Sequence, residues 1–344
     1  PAGDLVREIT PARPPGMGAM YLNTNRSKES IVLNLKTEEG RAAVLRMVAQ
    51  SDVVVTNVRP RKMDRLGLSW EVLRQTNPKV IYAALVGFDQ QGPYAGRPAY
   101  DDLIQGGACI PHLFERAGQQ PAYVPAAICD RIVGMSAVNA ILAAVIERGK
   151  SGQGQKVEVP MFETLASFLL VEHMAAAAFE DLPQSFGYSR MLVPHRRPLQ
   201  TKDGYITILP YSNAQWARFF RAIGREDMLC HPWVTNMDER SRNIGAVYDM
   251  VAQFAPSRTT QEWIDLMEEA DIPVMPVRML PDLPQDSHIK ATGFFQRVAH
   301  PTEGAIWTTK PPVKFSATPA RHDLRPAPRL GEHTEEILRR AGES

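Results

Sequence analysis

A doubly wound α/β fold followed by a smaller α+β domain is predicted by three observations. In the first half of the chain, apolar runs rich in β-branched residues alternate with helical patterns, as expected of a parallel sheet covered on both faces. Near residue 200 the texture changes behind a polar, proline-bearing connector. The 344 residues also exceed one ordinary domain of about 150 residues.

The elements follow in order. Ser30–Leu35 reads as a strand, and Glu38–Gln50 as an amphipathic helix with Ala42, Val44, Leu45 and Val48 on one side. Ser51–Val58 is a continuous apolar strand, a short helix follows over Trp70–Gln75, and Lys79–Phe88 is a second buried strand. Arg131–Arg148 is apolar almost all round and is expected to be a buried helix, closed by the glycines from Gly149 to Gly154. Gln155–Val159 is a strand and Phe162–Phe179 another mostly buried helix. Beyond the connector, Tyr205–Leu209 is a strand, and helices are expected over Asn213–Ile223, Arg240–Phe254 and Thr260–Ala270. Thr259 and Glu262 have capping-box spacing for the last of these. Lys310–Arg329 is proline-rich and extended, with a short helix after Gly331. The domain boundaries expected are 1–185 for the first part of a large domain, 186–200 for a linker, 201–290 for the small domain, and 291–344 for the return to the large domain.

Composition excludes several functions. Hydrophobic residues at 44% and charged residues at 22% fit a globular chain. Lys+Arg of 39 against Asp+Glu of 38 gives no bulk field for nucleic acid or an anionic membrane. The longest apolar stretch, Met135–Ile146, is short of the ~20 residues of a membrane span. Three cysteines without a C-x-x-C motif argue against a disulfide framework or a cysteine zinc site and fit a reducing cytoplasm. The eight histidines are scattered, so no metal site is expected. Gly149-Lys150-Ser151 closes a helix instead of opening one, which excludes a phosphate loop. No G-x-S-x-G elbow supports a serine hydrolase.

Asp130 follows the small apolar run Pro125–Cys129 and opens the long helix. It reads as an N-cap, as a functional carboxylate, or as both. A carboxylate at a helix start is expected to have a lowered pKa and to stay ionised. Tyr100-Asp101-Asp102 precedes a further helix start. Lys36, Asn57, Arg59, Lys62 and Arg65 lie at or just after strand ends, the rim where open α/β sheets bind ligands; as polar and charged groups they are equally consistent with solvated surface. Arg190, Arg196 and Arg197 near the linker suit a dicarboxylate partner or a solvated basic loop.

Several blocks of this sequence resemble the family III CoA-transferases, the CaiB/BaiF family. Asn25-Arg26-Ser27-Lys28-Glu29-Ser30-Ile31-Val32-Leu33-Asn34-Leu35-Lys36-Thr37 is similar to that family's N-R-x-K-x-S-I-x-L-D-L-K-T block. The stretch from Ser51 to Asn57, continuing through Arg59-Pro60 to Leu68, has a counterpart there. So do the Asp130–Arg148 helix with Ser151-Gly152-Gln153-Gly154-Gln155 and the ending Pro328–Thr334. The similarity covers essentially the whole chain. The family begins with a strand-helix-strand segment that helps shape its acyl and CoA pocket, and this chain starts just past that point. The expectation is a pocket short of one wall, with lower solubility and activity than a protein carrying the segment. Where some members have a glycine-rich loop over the active site, before the small-domain strand, Met191–Leu199 carries proline and arginine and no glycine.

The resemblance implies a Rossmann-like large domain built from both chain ends, a smaller α+β domain, and two chains interlocked as a homodimer. It implies a cytoplasmic enzyme that moves CoA from an acyl-CoA donor to a small carboxylic acid, with CoA as substrate and no permanently bound cofactor, metal, nucleic acid or membrane partner. It places the nucleophile at Asp130, an acyl-pocket carboxylate at Asp101 beside Tyr100, and CoA contacts at Leu35, Lys36, Asn57 and Arg65. A second implied activity is that of an α-methylacyl-CoA racemase of the same fold. Racemases carry His where this chain has Tyr100, and a tyrosine titrating near 10 is a poor acid/base partner, which favours transfer. A non-catalytic CoA-binding scaffold is a third possibility, set apart by CoA binding without turnover.

Overall fold

The structure, a computed structural model, describes residues 3–183, 185–321 and 324–342. The chain forms two compact units. One comprises Pro1–Leu85, Val138–Glu158 and Met279–Ser344; the other comprises Val86–Ala137 and Val159–Arg278.

The first unit holds most of a three-stranded sheet with strand order β1 (Val53–Thr56), β2 (Ile81–Val86), β3 (Lys156–Pro160). β1 and β2 are parallel, with Val53 opposite Ile81 and Thr56 opposite Ala84. β2 is the central strand and is buried at every position but one, as its unbroken apolar run requires. β1 is an edge strand, so its apolar run is not covered throughout, and Val55 is 56% exposed. Helix Glu38–Ala49 starts at Thr37, whose side chain accepts from the Gly40 N–H, and it buries Gly40, Ala43 and Val48. Helix Trp70–Thr76 is capped by Ser69.

Ser30–Leu35 is not a strand, and its last residue already belongs to the turn before the next helix. Its polar groups pair with the far end of the chain. The Ser30 N–H donates to His333 Nδ1 at 3.3 Å, the Val32 N–H to Thr334 Oγ1 at 3.1 Å, and the His333 N–H to the Ser30 carbonyl at 2.9 Å. With its hydrogen bonds met by side chains and a loop, the segment has no ladder to join. Buried Arg7 adds a second tie between the chain ends, donating to the Tyr21 hydroxyl at 2.6 Å and to the Pro328 carbonyl at 3.3 Å. β7 (Phe295–His300) and β8 (Gly304–Thr309) form an antiparallel hairpin before the closing helix Thr334–Gly342.

The long helix runs Ile128–Ser151 and ends where Gly152 takes φ +72°. It is longer than its apolar pattern suggests, and it is not buried: only 22% of its apolar window is covered. Met135, Val138, Leu142 and Ile146 are all exposed. An apolar pattern reports that a helix needs cover, not that its own chain supplies it. At 24 residues the helix is long and apolar enough to cross a membrane by length and composition, which the uninterrupted run alone understated. Its C-terminal end is fixed to the β1 start by Arg148, which meets the Asp52 carboxylate at 2.9 Å. The next helix, Met161–His173, is shorter than expected and continues as a 3₁₀ turn over Ala175–Ala178. It too leaves apolar side chains bare, Val171 being 83% exposed.

The second unit contains the α+β lobe. β4 (Leu199–Gln200), β5 (Tyr205–Ile208) and β6 (Val274–Pro276) form an antiparallel sheet in that order. Its core joins Ile206, Trp216, Phe219, Phe220, Val247, Trp263 and Met267. Helix Thr260–Glu269 has the expected capping box, with both bonds formed. The helix expected over Arg240–Phe254 is divided at Asn243 into Met237–Arg242 and Ile244–Phe254.

Candidate active site

Within the second unit, two helix starts meet. Asp101 is the first residue of helix Asp101–Gly107, and Tyr100 is its N-cap with an exposed ring and no capping bond from its side chain. Asp130 is the third residue of helix Ile128–Ser151. It is therefore not the N-cap that the sequence suggested. The helix begins two residues earlier, and the external acceptor for its first turn is Asp101. The Asp130 N–H donates to Asp101 Oδ2 at 2.9 Å across 29 residues of sequence.

The other Asp101 oxygen is held as firmly. Gln105 Nε2 donates to Asp101 Oδ1 at 2.5 Å, and Gln105 Oε1 accepts the Val124 N–H at 2.9 Å. Gln105 is fully buried, so its amide must be satisfied by protein. A chain of three bonds thus runs from the Val124 backbone through Gln105 and Asp101 to the Asp130 backbone. Gln105 was missed from the sequence. Its signal was the spacing of four from Asp101, one helical turn, at which Gln and Asp side chains meet.

The electrostatics reverse the expectation for Asp130. Its pKa is raised, not lowered, by desolvation first and by the Asp101 charge second, with Arg131 opposing. The side chain reaches solvent, but the protein around it is dense enough to disfavour the charge. The helix start would stabilise an anion, yet one of its N–H groups already serves another carboxylate. Those donors are also less available to a developing oxyanion than a bare helix start would be. Asp130 N–H binds Asp101, Ile128 N–H binds the Ala126 carbonyl at 2.7 Å, and Arg131 N–H binds the Ala127 carbonyl at 3.2 Å. Between Ile128 and Asp130, Cys129 is fully buried, and burial together with Asp101 and Asp130 pushes its thiol up to about 12. It is not a nucleophile.

The remaining expected residues belong to the other compact unit. Leu35 and Lys36 form the turn ahead of helix Glu38–Ala49, where the Lys36 N–H donates to Asn34 Oδ1 at 3.1 Å. Asn57 follows the carboxyl end of β1, and Arg65 closes helix Pro60–Arg65. Lys36, Asn57 and Arg65 are exposed, and among the described residues neither Lys36 nor Arg65 has an acidic partner. Asn57 sits at the carboxyl edge of two parallel strands, the edge at which open sheets take ligands.

Residues 1–334 match the family described as CoA-transferase family III. The chain belongs to that family. Its fold agrees: a CAIB/BAIF family protein from Brucella suis superposes with a TM-score of 0.79 at 28% identity, covering 99% of this chain and 90% of that one. A succinate–glutarate CoA-transferase of Agrobacterium fabrum is 28% identical over 320 residues, 93% of this chain and 80% of the relative. A formyl-CoA:oxalate CoA-transferase of Escherichia coli O157:H7 is 28% identical over 359 residues, covering 96% and 84%. CoA-transferases use CoA thioesters as substrates, so for a family III chain the groups to account for are a carbonyl, a thiolate and the CoA phosphates.

Proposed function

We propose that this chain transfers CoA from an acyl-CoA donor to a small carboxylic acid through a covalent intermediate on Asp130. The observation that carries this reading is the Asp101–Asp130 contact, which puts a carboxylate of raised proton affinity at a fixed helix start. A more basic carboxylate is the better nucleophile once ionised. One Asp130 oxygen attacks the thioester carbon, the C–S bond breaks, and CoA leaves as a thiolate, giving a mixed anhydride. The thiolate then attacks the aspartyl carbonyl and releases the donor acid, leaving an aspartyl thioester. An acceptor carboxylate reverses both steps and leaves as the new thioester, with no net proton or energy input. Asp101 acts as a positioning residue, because both of its oxygens are engaged in holding the turn that carries Asp130.

In this reading Lys36 and Arg65 meet the CoA phosphates as a point charge and a forked donor. Asn57 bonds the adenine or pantetheine, with Leu35 beside it. Tyr100 and Asp101 border the acyl group. The names of the two relatives, each a transfer between acids, support a carboxylate acceptor, and Tyr100 in place of histidine disfavours racemisation. The enzyme works as a cytoplasmic homodimer, with a second copy covering the bare apolar faces of helices Ile128–Ser151 and Met161–His173.

The test is chemical. Incubation with an acyl-CoA and then hydroxylamine should leave a hydroxamate on the peptide containing Asp130, read by mass spectrometry. A screen of CoA esters against small acids identifies the substrates. Turnover without any adduct at Asp130 would remove the covalent route.

A further inference from the structure

The α+β lobe contains a cavity of about 280 Å³ that the chemistry at Asp130 does not use. Its inner wall is apolar, with Leu199, Ile208, Trp216 and Val251 drawn from the buried core of the lobe. Its outer wall is basic, with the exposed side chains of Arg196 and Arg197. No Asp or Glu lines it.

Several other arginines of the lobe are already engaged. Arg218 meets Asp271 at 2.9 Å, and Arg225 meets Asp227 at 2.6 Å. Arg240 is buried and donates to the Trp233 and Val234 carbonyls. Arg190 is hydrogen-bonded to Tyr248 and lies over the Tyr211 ring. Asp249, the nearby acid, meets His195 Nε2 at 3.2 Å. Among the described residues Arg196 and Arg197 have no acidic partner. Two consecutive arginines, both lining an apolar hollow, call for an anion with an apolar body. A carboxylate matches the guanidinium fork in a way that a point charge does not.

We propose that this cavity binds a short-chain organic carboxylate, its chain against Trp216 and Leu199 and its carboxylate on Arg196 and Arg197. The volume lies near the low end of the roughly 300–1,000 Å³ typical of ligand sites. It suits a small acid and excludes CoA itself. The proposal stands independently of the role given to Asp130.

Calorimetric titration of hexanoate into the full chain carrying Asp130→Asn tests it without turnover or CoA. A saturable isotherm with a dissociation constant of order 1 mM is expected for so small a ligand. Hexanol, which has the chain without the charge, and sulfate, which has charge without the chain, should each bind about tenfold more weakly or less. Arg196→Ala with Arg197→Ala should weaken hexanoate by about tenfold or more, with the melting temperature unchanged because both side chains are exposed. Hexanoate binding that survives loss of both arginines, that hexanol equals, or that never saturates would overturn the proposal.

Discussion

Asp130 gains its character from a neighbour 29 residues away, and that contact makes its behaviour measurable. Asp130→Asn should abolish turnover, by about three orders of magnitude or more if the covalent route is the only one. It should not unfold the protein. The ordinary value of 3.8 is raised in the fold, so the native state holds this proton more tightly than the unfolded chain does. Ionised Asp130 therefore opposes folding above its folded pKa, and the penalty fades as pH falls towards the ordinary value. The melting temperature of Asp130→Asn should equal or exceed the parent's at neutral pH, and the gain should vanish in acid; a gain that grows on acidification would contradict the assigned direction. Asp101→Asn removes the second cause of the shift, so the acid limb of the kcat/KM profile should move to lower pH. An unmoved limb would mean the two carboxylates are not coupled. Cys129 supplies a further check: iodoacetamide on the native protein should label Cys109 and Cys230, both exposed, and leave Cys129 until denaturant is added. At this scale the sequence singled out Asp130 and Asp101 as carboxylates at helix starts, and the roles expected of them came from the family likeness alone. Spacing alone could not pair them, because their contact depends on two helix starts meeting in space. It also misjudged the sign of the Asp130 shift, which a neighbouring charge decides.

Elements with a strong local pattern were legible. The unbroken apolar run of β2 became the central strand, and Thr259 with Glu262 formed the capping box that their spacing announces. Ser30–Leu35 was not legible, because strand propensity describes how side chains fit a pleated surface and cannot supply a partner. The Arg240–Phe254 pattern likewise did not show the break at Asn243. One glycine carries a sharp requirement at this scale. Gly154 passes over the backbone just ahead of β2 so closely that an added Cβ would fall on the Val80 carbonyl. Gly154→Ala should thus destabilise the first unit by about 1–3 kcal/mol, seen as a lower denaturant midpoint, whereas the same change at Gly149, whose surroundings are open, should be nearly silent or stabilising in its helix.

For the whole molecule, the feature that the sequence could not reveal is the bareness of helix Ile128–Ser151. Its apolar pattern is plain, but whether a pattern is covered depends on everything else in solution. Met135, Val138, Leu142 and Ile146 recur at helical spacing along one exposed stripe. Light scattering at micromolar concentration should give twice the 38.3 kDa chain mass, and Leu142→Glu should shift the population towards the single chain; a monomeric parent would refute the dimer. If a second copy is the cover, folding and association are one equilibrium, and mass action then reaches the bench. The melting temperature should climb with protein concentration, and an enzyme diluted far below its assembly constant for a rate assay should lose activity with time on the bench, recovering it when concentrated again.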